Sequence, residues 1–230
     1  MVKFSIIVPV YREMQNINVL ISHVQDVFEG HNYDIVIVDG ESEHTTINNI
    51  EISAANIKKM SSAAGRAIQM NKGAVAAEGR ILIFLHADTF LPHAAPELIL
   101  RALTEYDFGC FLIRFATRNV YIRIAAFFAN MRAKIFKMPY GDNTFFLRKD
   151  VFDKLGGFKE IPVMEDVEFV KRARQSGLKL KVLEEKVLTS ARRWEKEGIL
   201  FYALRNLFLM TAFFLGVPPE ILKKYYETEE

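Results

Sequence analysis

The sequence predicts an α/β domain: a mostly parallel central sheet flanked by helices, closed by C-terminal helices. Three observations carry that expectation. Phe4 to Val10 (FSIIVPV) and Tyr33 to Val38 (YDIVIV) are short apolar runs of the kind that form strands buried on both faces. Between them Ile17, Leu20, Ile21, Val24, Val27 and Phe28 recur three and four apart, the period of a helix with one buried face. Strand, helix and strand in so short a stretch imply a parallel pair joined by a right-handed crossover. Ile81 to Leu85 is a third buried run, ending in His86-Ala87-Asp88. Open sheets of this class bind ligands at the carboxyl ends of their strands. An imidazole and a carboxylate there can chelate one cation, and Asp88 reads equally as a simple cap.

Composition narrows the classes. The 230 residues suit a single domain, and 50% hydrophobic content supplies a sizeable core and argues against disorder. A net charge of +2 is too balanced for a nucleic-acid partner. The single cysteine, Cys110, allows no internal disulfide and no cysteine metal cluster, which fits a reducing compartment. Met1 to Val10 lacks the basic start and cleavage site of a signal peptide. No apolar run approaches the ~20 residues of a spanning helix. The expected location is the cytoplasm, with peripheral contact at the inner face of the membrane as a variant.

The remaining elements follow in order. Pro9 cannot donate a ladder hydrogen bond and stops the first strand. The turn after it, Pro9 to Glu13, has no Gly-x-Gly-x-x-Gly, which argues against a dinucleotide site. Asp39 before Gly40 reads either as a turn aspartate or as an acceptor for a ribose or base. Thr45 to Ile52 predicts a short helix and Ile57 to Met60 an edge strand. Gly65 to Arg80 predicts a helix of small residues packed closely on the sheet, with Arg66 near its start able to reach a phosphate. Asn71, Lys72 and Gly73 cost that helix propensity. Pro92 opens a helix to about Glu105, and Phe108 to Phe115 is a strand.

Val120 to Met138 predicts an amphipathic helix. Ile124, Phe127, Phe128, Met131, Ile135 and Met138 share a stripe, with Arg123, Lys134 and Lys137 beside it. Tyr140-Gly141-Asp142 is a turn, Asn143 to Leu147 a strand, and Lys149 to Leu155 a helix stopped by Gly156-Gly157. Glu165 and Asp166 open a helix that runs to Gln175, where the helix dipole favours anions. Leu178 to Leu183 and Lys186 to Leu188 read as paired strands. Ile199 to Val217 is a second apolar helix, broken by Pro218-Pro219, and a polar tail follows.

Eight short pieces stand in a recognisable order: SIIVPVYRE at 5–13, VDG at 38–40, GR-x-x-Q-x-N at 65–71, FLHADT at 84–89, YGD at 140–142, LGGF at 155–158, MED at 164–166 and ARRW at 191–194. On these the chain resembles a family 2 glycosyltransferase over nearly its whole length, and in particular the bacterial subfamily with a His-Ala-Asp metal motif. The resemblance implies a GT-A fold in one domain, residues 1–230. Residues 1 to about 92 would bind the nucleotide sugar, and about 93 to 230, with the C-terminal helices, the acceptor. It implies an inverting transfer of a sugar from a nucleotide-diphosphate sugar to an acceptor hydroxyl, assisted by Mg²⁺ or Mn²⁺.

The same resemblance assigns residues. Pro9, Tyr11, Glu13 and Asp39 match positions that hold base and ribose. Arg66 and Asn71 match the segment along the diphosphate. Asp88 matches the metal-binding carboxylate, and His86 stands where many relatives have Asp. Asp166 matches the catalytic base, with Glu165 as the neighbour able to take its place. Asp142 belongs to the Tyr-Gly-Asp turn on the acceptor and diphosphate side. Arg193 and Trp194 match an Arg-Trp pair that contacts the leaving diphosphate or the acceptor. Four departures stand out: Ser190 in place of Gln, a turn at 40–45 without the usual second Asp, Asn143 in place of Gln, and His86, whose imidazole favours softer ions than Mg²⁺.

Two other classes compete, a nucleotide-sugar-binding protein without activity and a nucleotidyl-transfer enzyme of similar fold. Intact Asp88 and Asp166 argue against the first, and the missing Gly-rich loop against the second. The acceptor is unidentified. The two apolar helices suggest a lipid-linked acceptor and membrane-surface contact; packing on the core or across a homodimer is the alternative.

Overall fold

The computed structural model describes residues 2–226. Its framework is one sheet between two helical layers. Four strands come from the first part of the chain: β1 (Lys3–Val10), β2 (Asn32–Asp39), β3 (Ile57–Ser61) and β4 (Ile81–Phe84). A short β5 (Thr89–Phe90) follows, then β6 (Phe108–Phe115), β7 (Phe145–Arg148) and β8 (Leu180–Thr189). Their order is β3-β2-β1-β4-β7-β6-β8-β5. β3, β2, β1 and β4 run parallel, whereas β7 is antiparallel to both its neighbours and β8 is parallel to β6.

The period-two alternation of strand side chains divides the core. Phe4, Ile6, Val8, Ile35, Ile83 and Phe111 face the layer of α1 (Met14–Val27) and α4 (Ala95–Ala102). Ile7, Leu82, Phe84, Cys110, Phe145 and Leu147 face α3 (Arg66–Ala76), α6 (Lys149–Leu155) and α7 (Glu165–Gln175). A four-residue helix, α2 (Thr45–Asn48), lies beyond β2.

Close approach of α3 to the sheet depends on Gly73. A Cβ at this position would lie 2.5 Å from Cγ2 of Ile7, a buried β-branched side chain with nowhere to move. Gly73→Ala is therefore expected to cost about 1–3 kcal/mol of stability, the usual range for overpacking, despite alanine's better helix propensity. Urea denaturation measures it, and an unchanged midpoint would show that the helix stands farther from β1 than described.

The structure corrects several expectations. Leu178–Leu183 and Lys186–Leu188 are not a pair of strands. They belong to the single strand β8, which carries two extra residues between Val182, opposite Cys110, and Lys186, opposite Leu112. No Gly, Pro or Asn allows a turn at Glu184-Glu185, so the charged residues bulge out instead. The helix expected from Pro92 starts at Ala95, with Pro96 in its first turn. The expected polar tail holds α10 (Pro219–Tyr226), because Pro219 opens a helix as readily as it ends one. An unforeseen short helix, α8 (Arg192–Glu197), precedes α9 (Ile199–Phe214).

In α5 (Val120–Phe136) the buried residues are Ile122, Ala126 and Ala133. The stripe of Ile124, Phe127, Phe128, Met131 and Ile135 faces outward, so core packing does not account for it. Among the described residues, no helix is long and apolar enough to cross a membrane.

Candidate active site

The carboxyl ends of β1, β2 and β4 lie side by side, with Val10 paired to Asp39 and Ile7 to Phe84. The loops leaving these ends therefore converge, and β7 and α7 close the space from the other side. A narrow crevice results, lined by Pro9, Arg66, His86, Gly141, Glu165 and Asp166.

Asp166 is held in it by two backbone hydrogen bonds. Met164 adopts a left-handed conformation (φ 66°) immediately before α7, and this turns the first helical residues toward the crevice. Asp166 then accepts hydrogen bonds from the backbone N–H of Gly141 (2.5 Å) and of Val167 (2.7 Å). Gly141 sits close under both His86 and Asp166; a Cβ there would lie 3.4 Å from Nε2 of His86 and 3.3 Å from Oδ2 of Asp166.

Glu165 also lines the crevice but is held in an ion pair. Its buried carboxylate meets Nε of Arg66 at 2.6 Å. Burial raises the Glu165 pKa, opposed by the Arg66 charge, and the same pairing raises that of Arg66. Burial drives His86 down to about 3, helped by the charges of Arg66 and Arg193, so the ring is neutral. Asp142 is only partly exposed and its Oδ1 has no hydrogen-bond partner. Burial pushes it up to about 6, with Arg132 opposing and Asp166 adding to the shift.

These two shifts act in opposite directions on stability. The depressed His86 contributes stability above its ordinary 6.5 that is lost as pH falls toward 3. The raised Asp142 contributes stability below its ordinary 3.8 that is lost as pH rises through 6. Asp142→Asn should thus be more stable than the native chain above pH 6, by on the order of 2 kcal/mol, with the gap closing toward pH 4. Chemical denaturation across that pH range checks this; a constant difference would contradict it.

A second cluster adjoins the crevice. Nη2 of Arg192 lies 2.7 Å from Oε1 of Glu13 and 3.8 Å from Oδ2 of Asp88. Burial, then the nearby Glu13, raises the Asp88 pKa, against Arg192 and Arg193. The Arg193 charge reaches both His86 and Asp88, which links the two clusters. Nη1 of Arg193 donates to the Tyr226 hydroxyl (3.0 Å), which also faces Arg66.

Other expected residues lie elsewhere or are engaged. Asp39 is fully buried and accepts from the backbone N–H of Glu41 (2.9 Å) and Ile47 (3.3 Å), so it organises the turn after β2. Asn71 clamps the backbone of Phe158 with a bond in each direction, 2.8 and 2.9 Å. Trp194, partly buried, packs edge-on against Phe115 and at a tilt against Tyr202, against the edge of the core rather than in the crevice. Tyr11 is exposed beside Arg12 at the mouth.

Two residues near the site went unread in the sequence. Gln69, buried in α3, donates to the carbonyls of Val10 and Val38 and ties the two strand ends together; it is the Gln of the GR-x-x-Q-x-N piece, which is the signal the sequence offers. Arg192 sits beside Arg193 in sequence, and nothing in the order of the letters says which of the two faces Asp88.

For a divalent cation, the described residues contain no group of three or more potential ligands. Mg²⁺ is commonly held by one or two carboxylates together with substrate phosphates. Asp88, whose side chain is 27% exposed, suits that manner of binding. His86 suits it less, because its surroundings include Arg66 and Arg193.

Comparison with known proteins agrees with this architecture. S. aureus TarS, residues 1–349, superposes with a TM-score of 0.62 at 18% identity, over 90% of this chain and 64% of that one. The same protein in complex with UDP-GlcNAc gives a TM-score of 0.61 at 18% identity, covering 82% and 58%. At that identity the likeness is one of fold. A dolichol-phosphate mannosyltransferase of Pyrococcus furiosus is 29% identical over 102 residues, 42% of this chain and 29% of that protein. The chain thus spans under two thirds of each of these proteins. The model of glycosyl transferase family 2 matches residues 5–158, two thirds of the sequence, and the chain belongs to that family.

Proposed function

We propose that the chain transfers a sugar from a nucleotide-diphosphate sugar to an acceptor hydroxyl, with inversion at the anomeric carbon. The observation that carries this reading is Asp166. It is a carboxylate held by two backbone N–H groups in a crevice, with no ion pair among the described residues, beside cations able to meet a diphosphate. Asp166 takes the proton of the attacking hydroxyl. Arg66, fixed by Glu165, and Arg193 face the phosphate oxygens and offset the charge that develops as they leave. One base opposite the leaving group implies in-line displacement; of the two carboxylates among the described residues that line the crevice, Glu165 is taken by Arg66.

Asp88 is the residue that would hold a divalent cation, which would supply further neutralisation of the departing diphosphate. Chelation is expected to weaken donor binding, and Asp88→Ala to match the chelated native protein. Calorimetry showing metal-independent affinity would reject this part.

The donor is tested by thermal shift with UDP-, GDP- and dTDP-sugars in the presence of Mn²⁺. Ligands that bind only the native state raise its stability. One nucleotide series should raise the melting temperature, and no response to any of them would contradict the reading. Two relatives support the donor and acceptor classes. TarS has been crystallised with UDP and with UDP-GlcNAc, and the archaeal relative is named for mannosyl transfer and dolichol phosphate. A lipid-linked acceptor also suits the outward apolar faces of α5 and α9.

A further inference from the structure

The largest feature that the transfer chemistry leaves unused is the surface of α5 and α9. The two helices touch, and both turn large apolar side chains to solvent. On α5, Phe127 and Phe128 are 59% and 64% exposed; on α9, Leu204 and Leu207 are 57% and 58% exposed. A patch of this kind marks a contact with protein or membrane.

Charge selects between them. From Phe108 to Gly141 the chain carries Arg114, Arg118, Arg123, Arg132, Lys134 and Lys137 and not one Asp or Glu. From Ile199 to Pro219 the only charged residue is Arg205. Lys134 is taken by Glu184, and Arg132 by the Met138 carbonyl and the Tyr140 ring. Arg114, Arg123 and Lys186 form no ion pair among the described residues. They stand around an open groove of about 460 Å³ between α5 and the strands β6 and β8, whose apolar wall includes Phe115, Ile124 and Phe127. Glu184, engaged by Lys134, and Glu185 precede Lys186 in β8, but among the described residues the only charged ones lining the groove are cations. A two-fold dimer through this face would therefore lay mostly like charges against like, since the same patch meets itself. An anionic lipid surface complements it: cations meet headgroup phosphates while aromatic and aliphatic side chains enter the acyl boundary.

We propose that the α5–α9 face docks on an anionic membrane surface, with the groove receiving a lipid headgroup phosphate among Arg114, Arg123 and Lys186. Phe115 in the groove wall contacts Trp194, the neighbour of Arg193, so one pair of packed rings joins the groove to the segment that carries Arg193. The docking rests on this surface alone. Vesicle binding needs neither donor nor metal, so it and the proposed transfer can fail independently.

The test is co-sedimentation of the whole chain with phosphatidylcholine vesicles, with and without roughly a third of phosphatidylglycerol. Binding is expected with the anionic vesicles at low salt and is expected to fade at high salt or without the anionic lipid. Arg114→Gln, Arg123→Gln and Lys186→Gln together should weaken it about 100-fold, each charge near the surface being worth about fivefold. Phe127→Ser with Leu204→Ser should weaken it without altering the circular dichroism, because both side chains are exposed. No pelleting at low salt, or equal binding to neutral vesicles, would overturn the proposal. So would a dimer by light scattering that the Phe127→Ser, Leu204→Ser variant dissociates.

Discussion

Asp166→Asn is expected to lose ~10²-fold or more in kcat while donor affinity is retained, the scale of a typical general-base contribution. The substitution is nearly isosteric. An amide oxygen can still accept from one of the two backbone donors, Gly141 or Val167, so the crevice keeps its shape. What it loses is the capacity to take a proton. Glu165 lines the same crevice, but its carboxylate is engaged by Arg66 and is not free to take the proton. Near-native turnover in Asp166→Asn would remove Asp166 from the role. Loss of donor affinity together with kcat would make it a binding residue instead.

Arg66→Ala should be the most destabilising single change near the site. It leaves Glu165, whose side chain is only 2% exposed, as a buried charge without its partner. Removing one member of a buried pair costs about 3–5 kcal/mol, whereas replacing both members is far cheaper. Glu165 already has a raised pKa from burial, so without Arg66 it should bind a proton as the pH falls. The loss is thus expected to be larger at pH 8 than at pH 5. Adding Glu165→Gln to Arg66→Ala should restore much of it at pH 8. Denaturant midpoints of the single and double variants at both pH values measure this. A loss below about 1 kcal/mol for Arg66→Ala would show that the pair is solvated and exerts little hold on the first turn of α7.

How far the sequence reveals this molecule depends on the range of the interactions involved. β1, β2 and β4 are legible because burial on both faces makes them continuous apolar runs, and α1 because one buried face imposes a period. β8 was not, since Glu184-Glu185-Lys186 looks like a break between strands until the partner register shows a bulge. Pro218-Pro219 places the end of α9 at Val217, three residues late, because Gly216 at φ 90° closes the helix after Phe214, and it conceals the start of α10, because proline is accepted in a first helical turn.

Site residues divide the same way. Motif order points to the segments around Arg66, His86, Gly141 and Asp166, and these do line one crevice. Position along the chain could not show that Asn71 is spent on Phe158, Asp39 on its own turn, or Trp194 on Phe115. Each of those bonds depends on where a distant or folded-back segment comes to rest. Arg192 and Arg193 pose the hardest case, as adjacent residues on a helix point about 100° apart.

The central claim is that the crevice cleaves the sugar–diphosphate bond with Asp166 as base. The most direct measurement is product analysis by mass spectrometry and NMR after incubating the chain with the nucleotide sugar that stabilises it, with water or a hydroxyl acceptor present. The account predicts a nucleoside diphosphate and a sugar product of inverted anomeric configuration, both nearly abolished by Asp166→Asn. A nucleoside monophosphate with a sugar phosphate, or product of retained configuration, would contradict it.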